Sequence, residues 1–295
     1  MFLSRGEKIF TRVNSFFLSL MAIICLLPIW NVLCVSFSSS GPAAAGRVKL
    51  WPVGLTLSAY NYVLERPEYM TAFGVTIQRT LLGVAISLVI CILTAYPLSK
   101  ESEQFPQRTP IVWFFFFTML FSGGLIPTFA TITALGLIDS IWVLVIPNAL
   151  NVWNVVMLLN FMRRLPKEVT ESAYVDGAGE WMILIRIILP MSLPIIATLT
   201  LFIAVGHWNS WFDALIYMNK PKNYPLQTYL QSLVVRIDTE RMKSMSETEL
   251  QAYANISNRT FNAAQIFIAT IPILCAYPFL QKYFVQGIVV GSVKE

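Results

Sequence analysis

The chain contains 295 residues, of which 56% are hydrophobic and 13% are charged. Soluble domains carry roughly 25% charged residues, so this composition excludes an ordinary soluble globular protein. The net charge of +5 is scattered over polar segments without a dense basic face, which argues against a nucleic-acid partner and favours contact with anionic membrane lipid.

Six stretches of twenty residues or more contain no Asp, Glu, Lys or Arg. About 20 apolar residues, rising 1.5 Å each, cross a hydrocarbon core of roughly 30 Å, and a helix satisfies its own backbone hydrogen bonds there. We therefore expect an all-α integral membrane protein that forms a single domain over residues 1–295. We predict six transmembrane helices, at residues 15–37, 71–98, 110–132, 140–162, 187–208 and 260–281.

The first predicted helix follows Arg5, Lys8 and Arg12, which is also how a secretory signal peptide begins. Its apolar run is longer than the roughly 7–15 residues of a signal core. We therefore expect a first helix that is retained in the membrane.

The later connections differ in length and polarity. Glycine and proline interrupt the third predicted helix at 122–127, and the longest later polar segments are 165–186 and 213–259. Basic residues lie close to helix ends on the side that holds both termini, so the positive-inside rule makes this side cytoplasmic. The segment 213–259 is then external, and both a docking loop for another protein and a solvated surface helix fit it.

The segment 165–186 differs from a simple connection between membrane helices. An acidic helix start that includes Glu171 suits the positive end of the helix dipole. Ser172 and Ala173 are small enough to permit close approach of another surface, and Gly177 can adopt positive φ and redirect the chain. An amphipathic helix on lipid headgroups would instead present Lys, Arg and large apolar side chains. The segment therefore predicts a docking site for a soluble protein.

The same residues resemble the EAA loop of ABC importer permeases, whose consensus is E-A-A-x-x-x-G, nine further residues and then I-x-L-P. Ser172 replaces the middle alanine, which is a small-for-small change. Asp176, Gly177 and Ala178 further resemble the carbohydrate-uptake, maltose-type branch. Residues 4–8, 121–127, 208–212 and 281–294 resemble permeases for oligosaccharides from polysaccharide breakdown. The residues assigned to this coupling loop are Glu171, Ser172, Ala173, Asp176, Gly177, Ala178, Ile187, Leu189 and Pro190.

The resemblance implies a function and a set of partners. In that family the EAA loop forms a short coupling helix that docks in a cleft of the ATPase subunit, so Glu171 would be the acidic contact, Ala173 the close-packing position and Gly177 the bend. The chain would pair with a second homologous permease subunit and with two ATP-binding subunits, while an extracytoplasmic solute-binding protein delivers the oligosaccharide. It would be a multi-pass protein of the cell membrane with both termini cytoplasmic.

We expect no enzyme activity in the chain itself. The sequence lacks the G-x-x-x-x-G-K-[ST] phosphate loop, so ATP and Mg are expected on the partner subunits. Four cysteines in apolar runs without a C-x-x-C spacing predict no metal or redox site, and no bound cofactor is expected.

Polar residues in or beside the apolar runs are candidates for the substrate path. Arg79 precedes the second uncharged run, where an ionisable side chain indicates function and would suit an acidic oligosaccharide such as an alginate or pectin fragment. Snorkelling of its charge to the membrane surface is the alternative. The Asn residues of helix 4, Asn148 among them, either line the path or join helices by hydrogen bonds. The path candidates are Arg79, Asn151, Asn154, Trp208, Asn209, Trp211 and Asp213.

Two further interpretations concern residues 207–213. Aromatic and polar groups there suit sugar rings, but Trp is also common at membrane interfaces. His207, the only histidine, is expected to pack and to form hydrogen bonds rather than to transfer protons.

The main alternative function is a self-sufficient secondary carrier or channel. Such a protein should show paired charges within the membrane or matching broken helices in two halves, and neither feature is evident in the sequence. The sequence therefore favours an ATP-driven importer.

Overall fold

The structure, a computed structural model, describes residues 5–235 and 259–275, and the regular structure within these residues is helical. Short 3₁₀ and π turns join several of the α-helices. The α-helices are α1 Arg5–Ser36, α2 Ser40–Ala44, α3 Ser58–Leu64, α4 Pro67–Ser99, α5 Arg108–Leu120, α6 Leu125–Ala134, α7 Val152–Met162, α8 Lys167–Val175, α9 Glu180–Ile183, α10 Leu189–Met191, α11 Leu193–Asn209, α12 Phe212–Tyr217, α13 Leu226–Val235 and α14 Arg259–Cys275.

Two of these helices, α1 and α4, are each long and apolar enough to cross a membrane without a break. Helix α1 begins at Arg5 rather than at residue 15, because charged residues do not prevent a helix from continuing beyond the hydrocarbon, and Glu7 in its first turn suits the helix dipole. Its 32 residues are roughly 48 Å long, more than the bilayer core requires.

The third predicted helix consists of two helices, α5 and α6, which meet at an angle of 115°. The predicted interruption at 122–127 is confirmed, and it divides the predicted helix over 110–132 into these two α-helices. Gly124 has a φ of +83°, a conformation that glycine adopts without steric cost, and it precedes the first residue of α6.

The fourth predicted helix is α-helical only in its second half, α7. Two 3₁₀ turns, Ile141–Leu144 and Ile146–Asn148, precede it at an angle of 48°. Pro147 in this stretch has no backbone N–H to donate. The side chain of Asn151 caps α7 by accepting a 2.9 Å hydrogen bond from the Trp153 N–H. The α-helix therefore begins at Val152 rather than at residue 140.

The fifth predicted helix starts earlier than residue 187 and is bent. It comprises α9, a π-helical turn at Leu184–Ile188, α10 and then α11, with a bend of 79° before Leu193. Pro190 and Pro194 occupy the first turns of α10 and α11, where a missing N–H is tolerated. The predicted range 187–208 therefore covers the end of the π-helical turn, α10 and most of α11.

The number of spans remains a prediction. If each of the three bent pairs is one span, the described residues contain five candidate spans, including α1 and α4. Helix α14 is a shorter apolar helix. The predicted sixth helix ends at residue 281, and its last part lies outside the described residues. Most of the predicted external segment, 236–258, is also outside them.

The chain divides into two compact units. In the unit formed by residues 1–69 and 233–272, the side chain of Trp30 in α1 donates a 2.7 Å hydrogen bond to the Leu50 carbonyl. A small core of α1, α2, the following loop and α14 contains Cys34, Val35, Ala43, Val48 and Ala263.

The unit formed by residues 70–232 and 273–295 holds the main apolar core. This core joins α4, α7, α8 and the bent α9–α11 rod, so the short polar helix α8 is attached to three membrane helices. Its most buried members are Ala95, Leu158, Ile183 and Leu199.

Candidate functional site

Helix α8 is the helix predicted within segment 165–186. It starts after Pro166 and carries Glu168 in its first turn, where a carboxylate interacts favourably with the helix dipole. Ala173 is 9% exposed and belongs to the main core, whereas Glu171 and Ser172 are exposed. One face of α8 is therefore held by the protein and the other, acidic face is free to meet a partner.

A glycine turn ends α8. The Ala178 N–H donates to the Ala173 carbonyl at 2.9 Å, and the Gly177 N–H donates to the Tyr174 carbonyl at 3.0 Å. This pair of bonds, with Gly177 at a φ of +79°, is a Schellman motif. A Cβ on Gly177 would meet no atom within 4 Å, so glycine is needed here for backbone conformation rather than for space. The predicted bend therefore lies at Gly177.

The remaining residues of the loop motif divide into two groups. Asp176 and Gly177 are exposed beside Glu171 and Ser172, while Ala178 is half-buried. Ile187 and Leu189 pack against the main core, and Pro190 is exposed in α10. Ile187 and Leu189 therefore anchor the loop rather than forming its exposed face. Ala173 also packs within the chain's own core, so it is not part of the exposed face of α8.

The predicted substrate-path residues partly meet at a cavity of about 440 Å³ between α4, α7, α11 and the turns before α7. Arg79, Asn151 and Asn154 line it. Asn148, which shares the helix-4 stripe with these two Asn residues, also lines the cavity. The sequence pattern does not indicate the other lining residues for this role, because contacts between distant helices bring them together. These residues include Ser87, Trp153, Phe202, Gly206, His207 and Ser210.

Arg79 is only 1% exposed and forms a buried ion pair with Asp213. Its Nη1 also donates to the Ser210 carbonyl at 3.1 Å and to Asp213 Oδ1 at 3.2 Å. Asp213 in turn accepts from the Ser210 hydroxyl and the Ala214 N–H, both at 2.9 Å. Snorkelling is therefore wrong for Arg79, and its charge is balanced within the protein.

The structure thus contains a buried charge pair, a feature that is not evident in the sequence. The two residues are 134 positions apart in the chain, so no local sequence pattern indicates the pair.

The other path candidates lie apart from the cavity lining. Trp208 is 7% exposed and its ring meets Phe73 edge-on at 5.8 Å. Asn209 and Trp211 are exposed, and the Trp211 carbonyl accepts a 2.9 Å hydrogen bond from the Thr228 hydroxyl. Asp213 is used in the ion pair with Arg79. The cavity therefore combines apolar side chains such as Trp153 and Phe202 with polar groups that are mostly Asn amides and Ser hydroxyls.

Comparison with known proteins agrees with this architecture. Residues 103–290 match the family described as "Binding-protein-dependent transport system inner membrane component". Protein LplC of Bacillus subtilis (strain 168) is 38% identical over 291 residues, covering 99% of this chain and 97% of the relative. The polygalacturonan/rhamnogalacturonan transport system permease protein YtcP of the same organism is 37% identical over 288 residues, covering 98% and 99%.

A solved structure has the same fold along nearly the whole chain. It is the crystal structure of a bacterial ABC transporter involved in the import of the acidic polysaccharide alginate, with 33% identity, a TM-score of 0.86, and coverage of 96% of this chain and 99% of that chain. The chain therefore belongs to the family of binding-protein-dependent transport system inner membrane components, and is a multi-pass permease subunit of a carbohydrate ABC transporter.

Proposed function

We propose that this chain forms half of the translocation pathway of an ATP-driven importer for acidic oligosaccharides. It would pair with a second permease subunit and two ATP-binding subunits that hold ATP and Mg, and an extracytoplasmic binding protein would deliver the sugar. Both termini are then cytoplasmic. The substrate class is supported by the names of two relatives, one a polygalacturonan/rhamnogalacturonan permease and the other an alginate importer.

Helix α8 carries the proposal that an ATPase drives the chain. Its buried face, centred on Ala173, packs against the main apolar core of the protein. Glu171 and Asp176 are exposed on the outer side, beside the Gly177 turn. A short acidic helix that is rigidly attached on one side and exposed on the other is suited to receive force from a soluble protein. In this proposal Glu171 and Ser172 contact the ATPase, and Ile187, Leu189 and Pro190 hold the base of the loop.

The cavity between α4, α7 and α11 is the proposed contact site for the sugar. Within the described residues, Arg79 Nε and Ser87 Oγ are buried without a hydrogen-bond partner. An unsatisfied buried polar group costs about 1–3 kcal/mol, so sugar hydroxyls in the cavity would relieve this cost. Because Asp213 balances the charge of Arg79, we assign this half of the pathway to hydroxyl recognition. Selection for the carboxylates is assigned to the binding protein and the second permease.

The buried Arg79–Asp213 pair is also the observation that favours the alternative, a secondary carrier, since such pairs occur in ion-coupled transport. Membership of the binding-protein-dependent family weighs against it. The two functions differ in one measurable respect, because a carrier moves solute without an ATPase.

The test is uptake into proteoliposomes that contain both permeases and are supplied with the binding protein, with and without the ATPase subunits. Tri-galacturonate and an alginate trisaccharide are the acidic probes, and maltotriose is the neutral control. We expect ATP-dependent uptake of an acidic probe and its loss in Glu171→Arg, with Lys220→Met as the control for an exposed charge far along the chain from α8. Uptake without the ATPase subunits would overturn the importer, and preference for maltotriose would overturn the substrate class.

A further inference from the structure

A cluster of four polar side chains joins α8 to the ends of two membrane helices. Tyr96 lies near the end of α4, Lys100 directly follows α4, Tyr174 lies in α8, and Glu180 is the first residue of α9. We call these four residues the tyrosine clamp. None of them belongs to the EAA consensus.

The contacts of the clamp form a closed network. The Lys100 ammonium donates to the Tyr174 hydroxyl at 2.7 Å and pairs with Glu180 Oε2 at 2.9 Å. The Tyr174 hydroxyl donates to Glu180 Oε1 at 2.5 Å, and the Tyr96 hydroxyl donates to Glu180 Oε2. Each carboxylate oxygen of Glu180 is therefore held by a tyrosine from a different helix.

Aromatic rings enclose the cation as well. The Lys100 nitrogen lies 4.6 Å from the centre of the Tyr96 ring and 5.2 Å from the centre of the Tyr174 ring. The Lys100 side chain is only 15% exposed, and cation–π contacts strengthen as the cation loses water. Burial opposes the charge of Lys100, but hydrogen bonds with Tyr174, Tyr96 and Glu180 outweigh it and raise its pKa. Lys100 thus keeps its positive charge at physiological pH.

The second polar link of α8 to this region is different in kind. Lys167 pairs with Glu101 at 2.6 Å, but both side chains are more than half exposed. Exposed pairs of this type contribute about 0–1 kcal/mol. In the clamp Glu180 is also 55% exposed, but Lys100 is only 15% exposed and two tyrosine hydroxyls bind the carboxylate. The clamp is therefore the stronger polar connection between the last turn of α8 and the two membrane helices.

We propose that the tyrosine clamp transmits the movement of α8 to α4 and to the α9–α11 rod, so that its four residues are positioning residues for coupling. This proposal rests on the proposed docking of an ATPase on α8. Without the clamp, α8 would still bind the ATPase through its exposed face, but its displacement would be only partly passed to the helices that line the cavity.

The test measures cavity opening directly and needs no knowledge of the sugar. Asn148 lines the cavity, so Asn148→Cys reports its access to a membrane-impermeant maleimide in proteoliposomes of the complete transporter. The exposed Cys25 and Cys275 are first replaced by Ala. Labelling is compared between nucleotide-free and ATP–vanadate-trapped states, and the ATP hydrolysis rate is measured in parallel.

Tyr174→Phe keeps the ring and removes the hydroxyl, while Lys100→Met removes the charge. We expect both variants to assemble and hydrolyse ATP at near-normal rates, while the ATP-driven change in labelling falls about fivefold, the lower end of usual coupling strengths. Lys100→Arg should restore most of the change. Lys220→Met, which removes a 64% exposed ammonium that pairs with Asp139, is the matched control and should leave the labelling change intact.

The outcomes separate the two proposals. A normal labelling change in Tyr174→Phe and Lys100→Met would overturn the clamp while leaving the ATPase-driven importer in place. A proportional loss of hydrolysis and labelling would also overturn the clamp, since it indicates only a structural role. If the unaltered transporter shows no ATP-dependent labelling change, the proposed function itself fails.

Discussion

The imidazole of His207 in α11 lies directly against the backbone of Gly83 in α4. A Cβ added at Gly83 would lie 2.3 Å from His207 Nε2, far inside van der Waals contact. His207 is 6% exposed and also lines the cavity, so the absence of a side chain at residue 83 sets how closely the two helices approach there. Small residues commonly permit this kind of approach between membrane helices.

Gly83→Ala should therefore destabilise the protein. Overpacking of a filled contact costs roughly 1–3 kcal/mol, and the buried imidazole has little room to move. The free energy of unfolding of the purified permease in detergent checks this expectation. Gly74→Ala in the same helix is the control, because a Cβ there meets no atom within 4 Å. The double variant Gly83→Ala/His207→Ala should recover part of the lost stability. Equal stability of Gly83→Ala and Gly74→Ala would contradict the contact between Gly83 and His207.

The Arg79–Asp213 pair gives a prediction in which two changes cost less than one. Removing one partner of a buried pair leaves an uncompensated charge, which costs roughly 3–5 kcal/mol, whereas apolar replacement of both is often nearly neutral. We expect Arg79→Met and Asp213→Leu each to reduce the yield of folded protein strongly, and the double variant to recover most of it.

The control for this pair is Lys220→Met. In their 3.1 Å pair Lys220 is 64% exposed and Asp139 is 13% exposed. Asp139 keeps its hydrogen bonds from the Asn223 amide and the residue 220 N–H when the ammonium is removed, so the loss should change stability by no more than about 1 kcal/mol. Thermal unfolding monitored by circular dichroism distinguishes the variants. If the double variant is as unstable as the less stable single variant, loss of the ion pair is not the cause of the instability.

The sequence was sufficient for the helical membrane fold, because uncharged runs report directly on the bilayer. It also located α8 and the turn at Gly177, since small residues, acidic residues and glycine act through local backbone geometry. The breaks were harder to place. Pro147 and Pro194 lie within apolar runs, and hydropathy does not distinguish a bent pair from a straight span.

The cavity could be predicted only in part, because it depends on contacts between distant segments. Asn151 and Asn154 were recognised as polar residues in an apolar run, and both line the cavity. The pairing of Arg79 with Asp213 depends on how α4 meets the start of α12, which no local pattern encodes. Likewise, Ala173 follows the family consensus, but only the packed structure reveals that its methyl group faces the chain's own core.

The burial of Ala173 predicts a defect that does not require the ATPase. Ala173→Leu adds three carbons to a position that is 9% exposed and packed in the main core, which should cost roughly 1–3 kcal/mol. Thermal unfolding of the permease pair without its ATPase subunits measures this. Val175→Leu, at a position that is 87% exposed, is the control and should be neutral. A stable Ala173→Leu protein that fails only to bind the ATPase would instead make residue 173 part of the docking surface.

The turn at Gly177 predicts a graded series of variants at one position. Its φ of +79° has open space around it, so the cost of a side chain comes from the backbone and amounts to about 1–2 kcal/mol for Ala. Asn tolerates this conformation better than Ala, and a β-branched residue tolerates it least. Coupling, measured as sugar taken up per ATP hydrolysed, should therefore fall in the order Gly177→Asn, Gly177→Ala, Gly177→Val.

Gly179 provides the matched control for this series. It lies two residues later with an ordinary φ of −79°, and a Cβ there also meets nothing within 4 Å. Gly179→Ala should therefore couple normally. If Gly179→Ala and Gly177→Ala lose coupling equally, the requirement is for a flexible or small connection between α8 and α9 rather than for the left-handed turn. Retention of the order Asn, Ala, Val would instead establish that the orientation of α8 is set by the backbone conformation of this one residue.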